Sequence, residues 1–356
     1  MAYTDIDKPT DYFNTKLYTG NGSSGHAITG VGFQPDWIWI KDRGATNWHS
    51  VRDSVRGTSR QLFTNEARPE ETASYVTAFN SDGFTLGTGN SDVNANNNTY
   101  ASWNWKAGTS FTNDASSTGI GTIDSAGSFN NDSGFSIVSY TNTNQSANSG
   151  VATIKHGLNT TPNVLILKDR DATSDWQVFH SSLPTNKYLD LNTTDAAAVD
   201  TNVWNNTAPT SSVFTVGDNS YSNPANRAMI AYCFAEKKGY SKFGSYTGNG
   251  NNNGTFVYTG FKPAFVIVKN TAINENWSMH DNKRNDNVIP NYARLTPDDN
   301  QAEATNTTFA KLETFSNGFK LGNSADVIND SGVKFIYMAF AENPFVTSTG
   351  VPATAR

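Results

Sequence analysis

The sequence predicts an all-β protein made of three tandem antiparallel β-sandwich or jelly-roll-like repeats. Three observations carry this. Charged residues make up 16% and hydrophobic residues 36% of the 356 positions, so the polar surface falls to Asn, Ser, Thr and Gly, a composition suited to strands and turns. Apolar residues occur in short alternating runs broken by Gly, Asn, Asp and Pro, with no helical period sustained beyond about two turns. Most informative, four sequence anchors recur three times in the same order.

The first anchor pairs Tyr and Thr ahead of a turn: Tyr18-Thr19-Gly20-Asn21-Gly22, Tyr140-Thr141-Asn142-Thr143-Asn144 and Tyr246-Thr247-Gly248-Asn249-Gly250. Asn-Gly supplies the positive φ angles of a tight hairpin. The second runs from a proline to a lysine six residues later, Pro35 to Lys41, Pro162 to Lys168 and Pro263 to Lys269. A tryptophan follows that lysine after seven or eight residues (Trp48, Trp176, Trp277). The third anchor centres on Phe84, Phe214 and Phe319, and the fourth is an aromatic strand ending at Trp105, Phe234 and Phe340, 21, 20 and 21 residues further on.

These anchors divide the chain into an N-terminal arm (1–10), repeat one (11–108), a polar linker (109–133), repeat two (134–238), repeat three (239–345) and a C-terminal tail (346–356). The short junction at Glu236–Tyr240 predicts rigid packing of repeats two and three, with repeat one more independent. Both terminal segments read as extended arms docking on a neighbouring subunit. A short helix is expected at 297–304, where Pro297, Asp298 and Asp299 stand at its start.

Within the second anchor, Trp37 and Trp39 point to one face of a strand and Ile38 and Ile40 to the other. The counterparts of Trp37 are Val164 and Phe265, and those of Trp39 are Ile166 and Ile267, so both faces stay apolar in every copy. A sugar platform has no reason to become valine or isoleucine, so this is a core strand covered on both sides. The predicted core therefore comprises Pro35, Trp37, Ile38, Trp39, Ile40, Trp48, Phe84, Trp103 and Trp105 in repeat one; Pro162, Val164, Ile166, Trp176, Phe214 and Phe234 in repeat two; and Pro263, Phe265, Ile267, Trp277, Phe319 and Phe340 in repeat three.

A net charge of -6 opposes phosphate-backbone binding, and no apolar run reaches membrane-spanning length, so neither nucleic acid nor a bilayer is expected as partner. The N-terminus lacks the pattern of an export signal. Cys233, the only cysteine, lies in an apolar run and reads as a small buried hydrophobe. The carboxylates Glu66, Glu70, Glu71, Asp298, Asp299 and Glu303 are numerous enough to supply a glycosidase pair, but read as turn charges. Asp92–Asn96 resembles the start of a calcium loop yet has Trp103 where the bidentate Glu belongs. His49, His180 and His280 follow the motif tryptophans at drifting distances, as polar strand positions would. The Lys41-Asp42-Arg43 cluster recurs as Lys168-Asp169-Arg170 and becomes Lys269-Asn270-Thr271, which reads as strand-end ion pairing. No catalytic residue, cofactor or metal is assigned. Ligand contact is instead expected in the Asn-rich loops, at Asn94, Asn96, Asn97, Asn251, Asn252 and Asn253.

The stretches from Gly32 to Arg43, Asn80-Ser81-Asp82-Gly83-Phe84-Thr85-Leu86-Gly87, Trp103-Asn104-Trp105-Lys106-Ala107-Gly108, Gly239 to Gly250 and Ala339 to Phe345 resemble a family of virion structural proteins of tailed phages that infect marine bacteria. The resemblance covers nearly the whole chain and transfers no catalytic residue. It implies a particle component such as a tail fibre, other appendage or capsid-surface decoration, and with the repeats and polar loops the leading expectation is an exposed appendage contacting host surface polysaccharide. A capsid decoration protein clamping shell subunits is the alternative, and a glycan depolymerase a third reading. It also implies self-association, other virion proteins as partners, synthesis in the host cytoplasm and a place on the virion surface.

Overall fold

The structure is a computed structural model describing residues 3–143, 150–284, 293–305 and 310–353. Asn144 of the first anchor and the outer ends of both terminal arms lie outside the described residues. Repeat one contains β1 (Phe13–Thr19), β2 (His26–Thr29), β3 (Trp37–Asp42), β4 (Ser50–Asp53), β5 (Arg60–Phe63), β6 (Glu71–Thr72), β7 (Val76–Asn80), β8 (Gly83–Leu86) and β9 (Thr99–Trp105). Then come β10 (Thr109–Asn113), α1 (Ala115–Thr118) and β11 (Ser125–Asn130). Repeat two contains β12 (Phe135–Thr141), β13 (Ala152–Lys155), β14 (Val164–Asp169), β15 (Gln177–His180), β16 (Lys187–Asp190), β17 (Ala198–Val199), β18 (Val213–Val216) and β19 (Ala228–Phe234). Repeat three contains β20 (Ser241–Thr247), β21 (Phe256–Tyr258), β22 (Phe261–Asn270), β23 (Ser278–Asp281), β24 (Leu312–Phe315), β25 (Gly318–Leu321), α2 (Asp326–Asn329) and β26 (Lys334–Pro344).

Each repeat is an antiparallel two-layer sandwich. The inner sheets run β1-β9-β3-β4-β5-β6, β10-β11-β12-β19-β14-β15-β16-β17 and β20-β26-β22-β23, and the outer sheets β2-β8-β7, β13-β18 and β21-β25-β24. Alternation along the proline-to-lysine strand explains the layering. Ile38 and Ile40 pack with Ile28 and Phe84, Leu165 and Leu167 with Ile154 and Phe214, and Val266 and Val268 with Val257 and Phe319, closing three separate sandwich cores.

The other face of those strands meets the other repeats. Trp37, Trp39, Trp103 and Trp105 of repeat one join Val164, Ile166, Tyr232 and Phe234 of repeat two and Phe265, Ile267 and Phe340 of repeat three in one common core. Trp37 stacks on Tyr232 with ring centroids 4.5 Å apart, and Trp105 meets both Phe234 and Phe340 edge to face. Where the three inner sheets converge, a wholly apolar cavity of about 20 Å³ remains. Each large side chain buried there contributes roughly 1.5–3 kcal/mol of transfer free energy, so no repeat keeps its full stability alone.

Several expectations need correction. Repeat one is not more independent than the others, because its tryptophan face is the centre of the shared core. Residues 109–133 are not a linker: β11 pairs with β12 and β10 with β11, extending the inner sheet of repeat two. A polar composition hid these strands, although Phe111 and Phe129 alternate in phase and pack on the sandwich below. The N-terminal arm docks on its own chain, with Thr4 Oγ1 and Asp5 N both donating to Lys238 O and Ile6 entering the common core. The tail folds back through Thr347 and Val351, and Ser348 N donates to Asp7 at 2.6 Å. The described part of 297–304 has no helix, since the Asp298 carboxylate caps Trp277 N and Asn276 instead of a first helical turn. Trp48 is only half-buried and lies under Arg68.

Candidate functional site

The strand register makes Asp53, His180 and Asp281 equivalent, each paired with the first residue after the Pro-x motif (Trp37, Val164, Phe265). Each reaches into the following repeat around the ring. Tyr232 Oη donates to Asp53 Oδ2 at 2.7 Å, His180 Nε2 donates to the Tyr337 carbonyl at 3.1 Å, and Trp103 Nε1 donates to Asp281 Oδ2 at 3.0 Å. Repeat one thus takes its contact from two, two gives one to three, and three takes one from one, closing a cycle of three. Burial holds His180 down to about 4, so its neutral imidazole donates at neutral pH.

A second set runs around the ring in the same way. The backbone N–H groups of Glu70, Ala197 and Glu303 donate to the carbonyls of Arg170, Thr271 and Arg43 in the next repeat, at 2.8, 3.1 and 2.8 Å. Two of these junctions add an ion pair. Arg170 grips Glu70 with Nε and Nη2, both at 3.0 Å, and Arg43 Nη2 binds Glu303 Oε1 at 2.9 Å. Behind each carboxylate stands a fully buried arginine, Arg56 for Glu70 and Arg284 for Glu303, itself paired to Asp53 or Asp281. Burial opposes ionisation of Glu70, but Arg170 and Arg56 outweigh it and hold the carboxyl below its ordinary range. The arginine of the Lys-Asp-Arg motif is therefore an inter-repeat clamp, and its replacement by Thr271 in repeat three is matched by alanine at position 197 across the same junction.

The motif lysines are buried as well. Lys168 Nζ donates to Ala67 O of repeat one and Lys269 Nζ to Thr194 O of repeat two, while Lys41 caps Asp42 O and Ala45 O locally. Burial lowers all three to about 8, against the pull of neighbouring carboxylates. The tryptophan anchor is shifted by one in repeat one. Trp176 and Trp277, eight residues after their lysines, donate Nε1 to Phe63 O and Asp190 O of the preceding repeat, and His49 is the residue at that spacing in repeat one.

Of the six asparagines expected to contact ligand, Asn94 is fully buried and committed. Its amide donates to Ser23 O and Gly87 O, and its Oδ1 accepts from Asn21 N. Asn223 and Asn329 hold the same buried place, and Tyr18, Tyr140 and Tyr246 donate to the carbonyl just before each of the three. The signal was legible, since each Asn precedes its closing strand by the same interval. Asn96, Asn97, Asn251, Asn252 and Asn253 are exposed on the outer loops, with φ of 65° at Asn97. Asp92, at the start of the calcium-like stretch, accepts from Trp48 N.

A groove of about 430 Å³ lies where the N-terminal arm, the β20 edge and the tail meet. Tyr3, Tyr258 and Phe345, which are 62, 60 and 36% exposed, line it beside Glu236, Lys242 and Gly260. Sequence reasoning missed it, although the alternation Phe256-Val257-Tyr258 puts two aromatics on the outward face of β21.

Residues 8–344 match a family described as a domain of unknown function, DUF7483, and the chain belongs to that family. No curated protein and no solved structure matches it.

Proposed function

We propose that this DUF7483 chain is a non-enzymatic structural protein of a phage virion, serving as an exposed tail-fibre or appendage component that contacts host surface glycans through its outer loops. One observation carries the structural half: the three repeats close into a ring whose junctions are bridged by Glu70 with Arg170, Glu303 with Arg43, and His180 with the Tyr337 carbonyl. Glu70 and Glu303, two of the carboxylates considered for glycoside cleavage, are each held by at least two arginines, which supports a clamp rather than an acid or base. The virion assignment rests on the sequence resemblance. Exposed Asn96, Asn97 and Asn251–Asn253 supply amide donors and acceptors suited to sugar hydroxyls.

The near-three-fold arrangement within one chain favours a second reading, a capsid decoration protein seated at a local three-fold position of a shell. Particle reconstruction separates the two. Density at the tail, in a small multiple of three or six copies, supports the appendage, and hundreds of copies on the shell support decoration. Absence of the chain from purified particles overturns both. Glycan contact is tested by binding of the purified protein to host polysaccharide, with Asn251, Asn252 and Asn253 all changed to Ala as the control that should lose it.

A further inference from the structure

Among the described residues, β1 and β20, the first inner strands of repeats one and three, end their sheets, whereas β12 of repeat two does not. In repeat two, β12 is covered by β11, and the pairing places Phe129 opposite Ser136 and Ser128 opposite Ile137. Phe129 and Phe111 then close over Gly157, so near that a Cβ there would lie 2.8 Å from the Phe111 ring and 3.0 Å from that of Phe129. In repeat three the equivalent strand, β20, ends its sheet, with no strand on its outer side among the described residues. The residue equivalent to Ser136 is Lys242 and the one equivalent to Gly157 is Gly260, by pairing to β19 and β26 and to β18 and β25. Both line the 430 Å³ groove. A Cβ on Gly260 would meet only Tyr258, at 3.6 Å or more. Repeat three thus keeps the seat that β11 and its phenylalanines fill in repeat two.

We propose that β20 and this groove receive an extended strand from a different polypeptide, added antiparallel to β20, with an aromatic side chain opposite Lys242 inserted over Gly260. The backbone is ready for it. Phe243, equivalent to Ile137, points its N–H outward, where Glu236 Oε2 holds it at only 3.4 Å, a contact that an incoming carbonyl can replace. Tyr258 and Phe345 provide exposed ring faces for the inserted aromatic. A second copy of this chain is a poor donor. Its β20 aromatics are buried, Phe243 in the common core and Tyr246 with its hydroxyl bound to Ile328 O, and neither can leave to fill a neighbour's groove. The proposal does not depend on the virion reading, since any strand donor of this chemistry would serve.

The test uses the full chain and, as probe, a synthetic peptide of residues 124–131 (Asp-Ser-Ala-Gly-Ser-Phe-Asn-Asn), the segment that fills the seat in repeat two. At about 2 mM peptide, enough to half-fill a site of millimolar affinity, amide exchange at Phe243 and Ser245 should slow by about twofold. A peptide with its Phe replaced by Ser should give no protection. Ser245→Pro removes an edge donor without touching the ladder to β26 and should abolish the effect; Tyr258→Ser, a surface change that leaves folding intact, should weaken it. Equal protection by both peptides, or none by either, overturns the proposal. So does a shift of the Tyr258 ring resonances on adding a host oligosaccharide but not the peptide, which would make the groove a glycan site. A dimer by light scattering with β20 amides already protected overturns it in favour of a second copy.

Discussion

At the scale of single residues, two of the six candidate carboxylates, Glu70 and Glu303, are bonded across repeat boundaries, while Glu71 and Asp298 are bonded within their own repeats. Glu70 neutralises Arg56, whose side chain is fully buried, and Arg170 together. Glu70→Gln leaves Arg56 with Asp53 alone and takes the carboxylate from Arg170, and is expected to cost about 3 kcal/mol, read as a fall in the urea midpoint at constant slope. Loss of less than about 1 kcal/mol would place the pair among ordinary surface ion pairs. The buried lysines give a pH signature. Their folded pKa of about 8 lies below the ordinary 10.5, so from about pH 8 upward the unfolded chain holds more protons and stability rises with pH. The rise should end near pH 10, where tyrosines such as Tyr232 and Tyr246, raised by burial in the fold, begin to ionise in the unfolded chain. Urea midpoints between pH 7.5 and 9.5 check this, and Lys168→Met should flatten the slope. A midpoint that falls across that range contradicts the assignment.

At the scale of elements, β10 and β11 show how a strand can be masked by its composition. Ser125-Ala126-Gly127-Ser128 carries no apolar run, yet Gly127 is required, because a Cβ there would sit 2.0 Å from Ile137 O. The strands are held by ladder hydrogen bonds and by two phenylalanines over Gly157. Phe129→Ala should therefore cost about 1–2 kcal/mol, less than a fully buried phenylalanine because the ring is half-exposed. The accompanying amide exchange should accelerate in β10 and β11 and stay slow in β14 and β19. Uniform acceleration over repeat two would mean that the hairpin and sandwich unfold as one unit. The asparagine of each closing turn belongs to this scale too. Asn94, Asn223 and Asn329 are spaced alike before the final strand, so their structural role could be read from the repeats, whereas ligand contact was expected of Asn94 from loop composition alone.

At the scale of the whole molecule, the three sandwiches share one apolar centre, and unfolding should be cooperative across repeat boundaries. Calorimetry of the full chain is expected to show a single transition, and Trp37→Ala in repeat one should lower its midpoint while leaving it single, at a cost of about 3–5 kcal/mol. Two resolved transitions, with repeats two and three melting together apart from one, would restore the domain organisation expected from linker length. That expectation treated a polar connection as slack, but the 109–133 segment is structure, and Trp37, Trp105 and Phe13 bury against Tyr232, Phe234 and Phe340.

The sequence by itself determined the strand class, the three-fold repetition, the phase of each core strand and the burial of the residues it assigned to the core, Trp48 excepted, because alternation and recurrence are local properties that a single chain displays directly. Trp37-Ile38-Trp39-Ile40 could be assigned to a doubly covered strand from its counterparts alone. Only the tertiary structure decided what covers the tryptophan face. That depends on closure of the repeats into a ring, a relation between residues more than a hundred positions apart, such as Arg43 with Glu303 and Tyr232 with Asp53. The same closure pairs Glu70 with Arg170 and Glu303 with Arg43, and left the edge of β20 as the place where repeat three departs from repeat two.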